Sequence, residues 1–358
     1  MVRRMGKQAQ SSTSPLLDSL RRSVIERPDD EAAALVYADA LLDVGDPLGE
    51  LIVAQCRDPD VPVSEEMYAR VAGPLYRAGE AFGVRRGILR TIALRRITPT
   101  LFARLVGCPW WESVRSITFL RSRRGGGPPT QSVVALLAHP VCSRVREVVD
   151  LHLPGLVQLA QQPLTYDRLV LFDDPLTDYR RGLASPVRLR ARALGLASRF
   201  RVPYMVTWLM NAGLELLRTA ESVSAWCDLS DLLPLFEAPL PALQRISCAG
   251  ADVRREDGRW HLTVDPLKAS GALDSPAVGR ALAEFEALLS RCAGRWASVT
   301  VAGPDLGREV AGRFERCAPA VPFSYEWGTS TPPLTPPPPP PRERRRRRDG
   351  WRAVVHDP

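Results

Sequence analysis

From Ser14 to about residue 56 apolar positions recur at helical spacing between recognisable caps. Ser14 followed by Pro15 reads as an N-cap with proline at the first helical position, and Leu16, Leu17, Leu20 and Val24 carry the spacing to about Glu26. Pro28 ends that helix, Asp29 or Asp30 can cap the next, and the stripe Leu35, Val36, Leu41 and Leu42 stops at Gly45. Asp46 and Pro47 restart a third helix through about Cys56. Ser64, with Glu65 and Glu66 in the first turn, opens a fourth that should reach roughly Phe82 with a bend at Pro74. The first three helices are expected to pack through Leu17, Leu20, Leu35, Tyr37, Leu41 and Ile52, with Asp39 and Asp43 outside.

From residue 89 the texture changes to a loose L-x-x-L-x-L, the strand signature of a solenoid repeat. The copies are centred on Ile92, Ile117, Leu151, Leu169, Leu194, Leu217 and Ile246, with a later one at Trp296, Val299 and Val301. The first seven centres are 25, 34, 18, 25, 23 and 29 residues apart, scattered around the ~20 to 29 of leucine-rich repeats. Such units bury their apolar faces only against neighbours, so these strands should lie side by side in one mainly parallel sheet. The asparagine that closes a regular motif is missing. The positions read Ile97, Ser122, Leu156, Asp174, Arg199, Ser222 and Ala251, and the only asparagine of the chain is Asn211. Two readings stay open, a degenerate repeat array and a mixed α/β domain. Beyond 255 a strand at 259–264, a helix from Pro276, a strand at 298–301, a helix over 306–317 and a strand at 323–327 suggest an α/β cap.

Several residues of the helical segment carry a resemblance. Pro28-Asp29-Asp30, then Leu35-Val36-Tyr37-Ala38-Asp39, then Gly45-Asp46-Pro47-x-Gly49-Glu50-x-Ile52-x-x-Gln55 resemble the bacterial companion domain found N-terminal to leucine-rich-type repeats. Residues 85 to 94 are similar to that family's passage into its first repeat strand. Ala40 stands where the family usually has tryptophan, and Val53 where a basic residue is common. The resemblance implies an architecture of helical companion followed by repeats; it implies no activity.

Composition adds the ends of the chain. The net charge of +8 resides largely outside the middle: Arg3, Arg4 and Lys7 lie in the first 14 residues. Residues 332–358 hold Arg342, Arg344, Arg345, Arg346, Arg347, Arg348 and Arg352 against Glu343, Asp349 and Asp357, a net of +4, which leaves +1 for 15–331. Six prolines at 336–341 precede the arginines, so this tail is expected to be disordered, with the arginines as candidate polyanion-binding residues. Pro337-x-x-Pro340-x-Arg342 also fits a polyproline-groove ligand. With only two lysines and one asparagine, the arginine excess has a second source in G+C-rich coding.

Catalytic or metal chemistry is not signalled. Seven scattered cysteines form no C-x-x-C pair, and His139, His152, His261 and His356 belong to no metal pattern. The glycine-rich Arg123 to Pro129 lacks the G-K-[ST] ending of a phosphate loop. Asp39, Asp43, Asp46 and Glu50 could hold a divalent ion, or be a helix cap plus a solvated face. No membrane span or leader is visible, which makes the cytoplasm the expected location. The expectation is therefore an α/β chain with a disordered N-terminus (1–13), a helical companion domain (14–82), a degenerate leucine-rich-repeat-like array (83–255), an α/β cap (256–328) and a disordered Pro/Arg-rich tail (329–358). Its expected role is that of a non-enzymatic protein-interaction scaffold without cofactor or metal, with nucleic-acid or other polyanion binding through the tail as the alternative.

Overall fold

The computed structural model describes residues 14–94, 99–120, 130–172, 187–197, 202–225, 227, 229–248, 250–265, 276–291, 294, 296–303 and 307–327. The tail arginines and the expected disordered ends at 1–13 and 329–358 lie outside these residues. The chain divides into two compact units, residues 1–257 and 258–358. The fold is α/β, with mainly parallel strand pairing.

The first unit opens with α1 (Pro15–Glu26), α2 (Glu31–Asp43), α3 (Leu48–Arg57) and α4 (Glu65–Ala72). Ser14 precedes α1 without a side-chain cap bond, whereas the side chains expected at the starts of α2, α3 and α4 do make one. Asp30 accepts a bond from Ala33 N, Asp46 from Leu48 N and Ser64 from Met67 N. Of the expected core, Tyr37, Leu41 and Ile52 are buried together with Val24, Ile25, Ala34, Ala38 and Leu48. Leu17, Leu20 and Leu35 are half-buried, and Asp39 and Asp43 are exposed. The fourth helix is shorter than expected. It stops at Ala72 because Gly73 takes a left-handed φ of +53° beneath the Trp110 indole, and Pro74 then starts a 3-10 turn. Phe82 is accordingly in a strand, β1 (Gly79–Arg85), paired antiparallel with β2 (Ile88–Leu94). Tyr68 and Tyr76 pack on its ring, with centroids 5.9 and 5.3 Å away.

The Gly-Asp-Pro-x-Gly-Glu-x-Ile-x-x-Gln series holds this hairpin to the helices. Gly45 turns the chain at φ +72°, and Asp46 joins the α3 cap to Arg70. Gly49 sits where α2 and α3 touch; a Cβ there would lie 2.7 Å from the Ala38 carbonyl oxygen. Ile52 fills the space under Gly87 in the hairpin turn. Gln55 donates to the Val84 carbonyl at 3.0 Å and accepts from Gly87 N at 3.0 Å, which satisfies the backbone of the outermost strand and its turn.

From β2 onward the strands pair in parallel and in chain order: β3 (Ser116–Phe119), β4 (Glu147–His152), β5 (Thr165–Phe172), β6 (Arg190–Ala197), β7 (Ser222–Ala225) and β8 (Arg245–Cys248). An antiparallel β9 (Ala251–Glu256) follows β8. The register aligns Ile92, Ile117, Val148, Leu169, Leu194, Val223, Ile246 and Val253 in one cross-strand row, each at most 1% exposed. Six of the seven expected strand centres fall in strands. The seventh, Leu217, does not: Leu214–Thr219 is a helix, and the strand of that unit is β7, centred on Val223. There Leu216 and Leu217 are both buried, a helical adjacency that a half-exposed strand forbids. Of the motif-closing positions, Leu156 lies in a helix, Ser222 in β7 and Ala251 in β9; Ile97, Ser122, Asp174 and Arg199 fall outside the described residues.

Between the strands run α5 (Pro99–Leu105), α6 (Thr130–Leu137), α7 (Leu153–Leu159), α8 (Val202–Ala212), α9 (Leu214–Thr219) and α10 (Leu233–Glu237). Parallel crossovers are right-handed, and strands added always on the same side therefore place every such crossover on the same face of the sheet. Leu136, Leu156, Met205, Leu209 and Leu216 of these helices are buried, and α7, α8 and α9 contact β4, β5 and β6.

The second unit is β10 (Arg259–Val264), α11 (Pro276–Arg291), β11 (Trp296–Gly303), α12 (Gly307–Cys317) and β12 (Phe323–Trp327), close to the expected elements. Its strands are parallel in the order β10, β11, β12. Its core joins Leu262, Phe285, Leu289, Val299 and Phe314, and Arg313 holds Glu286 through Nε and Nη2 at 2.6 and 2.9 Å. No helix among the described residues is long and apolar enough to cross a membrane.

The α2–α3 contact gives a direct test. Gly49→Ala should lower the stability of the first unit by about 1–3 kcal/mol, because the added methyl meets backbone that cannot rotate away. Urea unfolding followed by circular dichroism would measure it, and an unchanged midpoint would refute the close packing.

Candidate interaction face

With the described crossover helices on one side, the other side of β2–β9 presents its own side chains. In register these are Thr91, Ser116, Glu147, Arg168, Ala193, Ser222, Arg245 and Arg254, one from each strand. Thr91, Arg168, Arg245 and Arg254 are exposed and the others half-buried. A second row on the same side runs through Val170, Gly195, Ser224, Ser247 and Asp252. Gly195 is required here, since a Cβ would come within 2.9 Å of the Val170 side chain. Asp252 accepts from both Arg245 (2.7 Å) and Arg254 (3.0 Å), so the last two strands carry a small charged network. The two rows are mainly polar and mixed in sign, with Val170 buried among them, on strands paired in parallel up to β8.

Two residues before each strand centre stands a polar residue: Arg90, Arg115, Arg146, Asp167, Arg192, Glu221 and Gln244. Their backbones are laced together. Arg115 N bonds the Arg90 carbonyl at 2.7 Å, Arg146 N that of Arg115 and Asp167 N that of Arg146 at 2.8 Å, and Glu221 N and Gln244 N continue the series at 2.8 Å. Along the exposed part, Arg192 and Glu221 form a two-point pair at 3.2 and 3.0 Å, which raises the Arg192 pKa.

At the start of this ladder the guanidinium groups turn to α1. Arg90 donates to the Val24 carbonyl at 3.1 Å; Arg115 and Arg144 donate to the Ile25 carbonyl at 3.2 and 3.3 Å; Arg86 reaches the Pro28 carbonyl at 2.9 Å. Arg144 also lies 3.6 Å from Glu26, and Arg86 lies 3.7 Å from Glu31. The Val24 and Ile25 carbonyls belong to the C-terminal turn of α1, where helix backbone has no internal partner and the dipole is negative, and Pro28 lies two residues past its end. That turn carries no basic residue of its own, and the cations come from β2 (Arg90), the turn before it (Arg86) and the approaches to β3 and β4 (Arg115 and Arg144). Burial, and then the charge of Arg115, push the Arg90 pKa down to about 10; Arg115 is lowered by burial and by Arg144 and Arg146. Arg90 stays charged at neutral pH. One Arg90 nitrogen, Nη1, is buried without a hydrogen-bond partner among the described residues. Beside it lies an open cleft of about 400 Å³ lined by Arg22, Ile25, Glu26, Glu112, Val141 and Arg144, two cations facing two carboxylates.

The residues singled out from sequence are distributed otherwise. Asp46 is used as a cap, while Asp39, Asp43 and Glu50 are exposed, and among the described residues no three His, Cys, Asp or Glu side chains gather as metal ligands. His139 caps a 3-10 turn by accepting from Val141 N, and His261 bonds Ser298. Burial pushes the Cys142 thiol up to about 12, which makes it a protonated core side chain. Arg123 to Pro129 and the seven tail arginines lie outside the described residues. The arginine seat was not anticipated; for Arg90 and Arg115 the sequence signal is the polar residue at a fixed offset before successive strands, visible once Val148 replaces Leu151 and Val223 replaces Leu217 as centres. No protein family, no curated protein and no solved structure matches the chain.

Arg115→Ala removes donors from two carbonyls at once, those of Ile25 and Arg144. Hydrogen bonds to charged groups contribute ~1.5–3 kcal/mol each, so amide exchange across α1 should accelerate by at least about tenfold while the strands are little affected. Exchange measured by mass spectrometry that left α1 as protected as before would show that the seat does not hold it. Iodoacetamide at pH 7.5 should spare Cys142 in the native chain and modify it after denaturation.

Proposed function

We propose that the chain is a non-enzymatic interaction scaffold whose partner docks on the uncovered strand face of the first unit. The observation that carries this reading is the sequential parallel order of β2–β8: one-directional, right-handed crossovers leave a single face for side chains such as Arg168, Ser224 and Arg245. Strands that follow in order, aligned aliphatic rows and the resemblance of residues 14 to about 97 to a repeat-companion domain support a degenerate leucine-rich-repeat-like array as the scaffold. The mixed charge of the face favours a protein over a nucleic acid as its ligand. We place its action in the cytoplasm.

A second reading rests on the tail. Arg342, Arg344–Arg348 and Arg352 give a net +4 over residues 332–358 and suit a nucleic acid or another acidic partner.

The two readings part experimentally. A photo-cross-linking residue at Ser224, on the strand face, should capture a specific protein in cells, whereas one at exposed Tyr204 on α8 should not; Arg168→Glu with Arg245→Glu should abolish the adduct. Equal capture from both positions would defeat the strand-face reading. For the tail, nucleic-acid affinity of the full chain should fall steeply from 50 to 200 mM salt and be lost in a chain ending at Thr331. Equal affinity and equal salt slope for both would remove the tail from consideration.

A further inference from the structure

We infer that the uncovered face of β6 and β7, between the arginines of β5 and β8, receives one α-helix of a partner protein that carries two acidic residues separated by a single small one. The inference rests on the strand face being the docking surface and names what docks there. The register places Arg168 of β5, Ala193 of β6, Ser222 of β7 and Arg245 of β8 at one level across the sheet. Two long cations therefore stand opposite each other with only short side chains between them. One step further along the strands, Gly195 and Ser224 continue the same floor. The backbones of β5 and β8 are three inter-strand spacings apart, about 14 Å. An α-helix with its side chains is ~10–12 Å across, so a single helix fits between these walls.

Both walls can accept negative charge. The Arg168 side chain is exposed and makes no ion pair or hydrogen bond among the described residues; Glu147, its half-buried neighbour on β4, does not come within ion-pair distance. Arg245 is held by Asp252 at 2.7 Å, yet the same carboxylate also serves Arg254 at 3.0 Å, which leaves two guanidinium groups to one carboxylate. That network fixes the β8 wall before a partner arrives and so lowers the entropic cost of binding. Arg192 and Glu221 pair with each other at the beginnings of β6 and β7, at 3.2 and 3.0 Å, and leave the wall arginines as the contacts for a ligand.

Helix geometry then sets the spacing of the acidic residues. Successive helical residues are about 100° apart around the axis, so side chains at i and i+2 project to opposite flanks, only ~3 Å apart along it, while i+1 faces the floor. Because Arg168 and Arg245 stand at one level, carboxylates at i and i+2 reach both. Residues three or four apart lie on one flank and reach only one wall. Residue i+1 sits over Ala193 and Ser222. Two strand residues advance ~6.6 Å and four helical residues ~6 Å, so the residue four positions on sits over Gly195 and Ser224. Both of these must be small for the helix to approach closely.

Fluorescence anisotropy with the full chain in low salt, using labelled, hydrocarbon-stapled alanine helices of about 20 residues, tests this. A helix bearing Glu-Ala-Glu should bind at least about tenfold tighter than one of equal charge with its glutamates at i and i+4. Arg168→Glu with Arg245→Glu should reverse the preference, so that Lys-Ala-Lys binds and Glu-Ala-Glu does not. Ser224→Trp should weaken the Glu-Ala-Glu helix about tenfold and leave thermal melting by circular dichroism unchanged, since Ser224 is exposed. Equal affinity for the two glutamate spacings, or no binding of either, would overturn the inference. So would equal or tighter binding once a central proline has broken the helix, because the occupant would then be an extended segment. If the cross-linker at Ser224 still captures a specific protein in those cases, the strand face stands and only the helix is lost; if it captures none, the strand-face reading falls with it.

Discussion

Each strand of the first unit has one apolar face and cannot bury it alone; that single constraint organises the rest. The row from Ile92 to Val253 is continuous because every strand is laid beside its predecessor in the same register. Once the order is sequential, the hand of parallel crossovers assigns the helices to one side and frees the other. The uncovered polar face is thus a geometric result of burying the aliphatic one, whatever partner it takes.

A row of this kind has a first strand, and its edge must be closed. Here closure is shared between the β1–β2 hairpin, locked by Gln55 and Ile52, and the end of α1, locked by Arg86, Arg90, Arg115 and Arg144. The two devices use different physics. Gln55 pairs neutral backbone groups that would otherwise face an apolar helix, whereas the arginines match several positive charges to the partial negative charge of unpaired carbonyls. Arg90 shows the cost of the second device, since its pKa is depressed and one of its nitrogens is unsatisfied.

How much of this could be read from the sequence depended on range. The caps Asp30, Asp46 and Ser64 act within three residues, and they were legible, as was the apolar rhythm of most strands. β1 was missed because Gly79-Glu80-Ala81-Phe82 has no alternation of its own and becomes a strand only through its pairing with β2. Leu214–Thr219 imitated the strand motif because a helix and an L-x-x-L pattern share a spacing of three. The arginine seat was out of reach: its bonds join residues 66, 90 and 119 positions apart, and nothing local distinguishes Arg90 from the chain's many other arginines. The strand face was legible only as a set of unremarkable polar residues, because its identity as one surface comes from register.

Sequential pairing also bears on how the chain is made. In a sheet whose strand order departs from chain order, an early strand must wait for a late one before it can be covered. From β1 to β8 each strand pairs with the one before it in the chain, so each segment leaving a ribosome finds its neighbour already seated. Synthesis from the N-terminus therefore exposes one growing edge at a time, which limits the apolar surface open to misassembly at any moment.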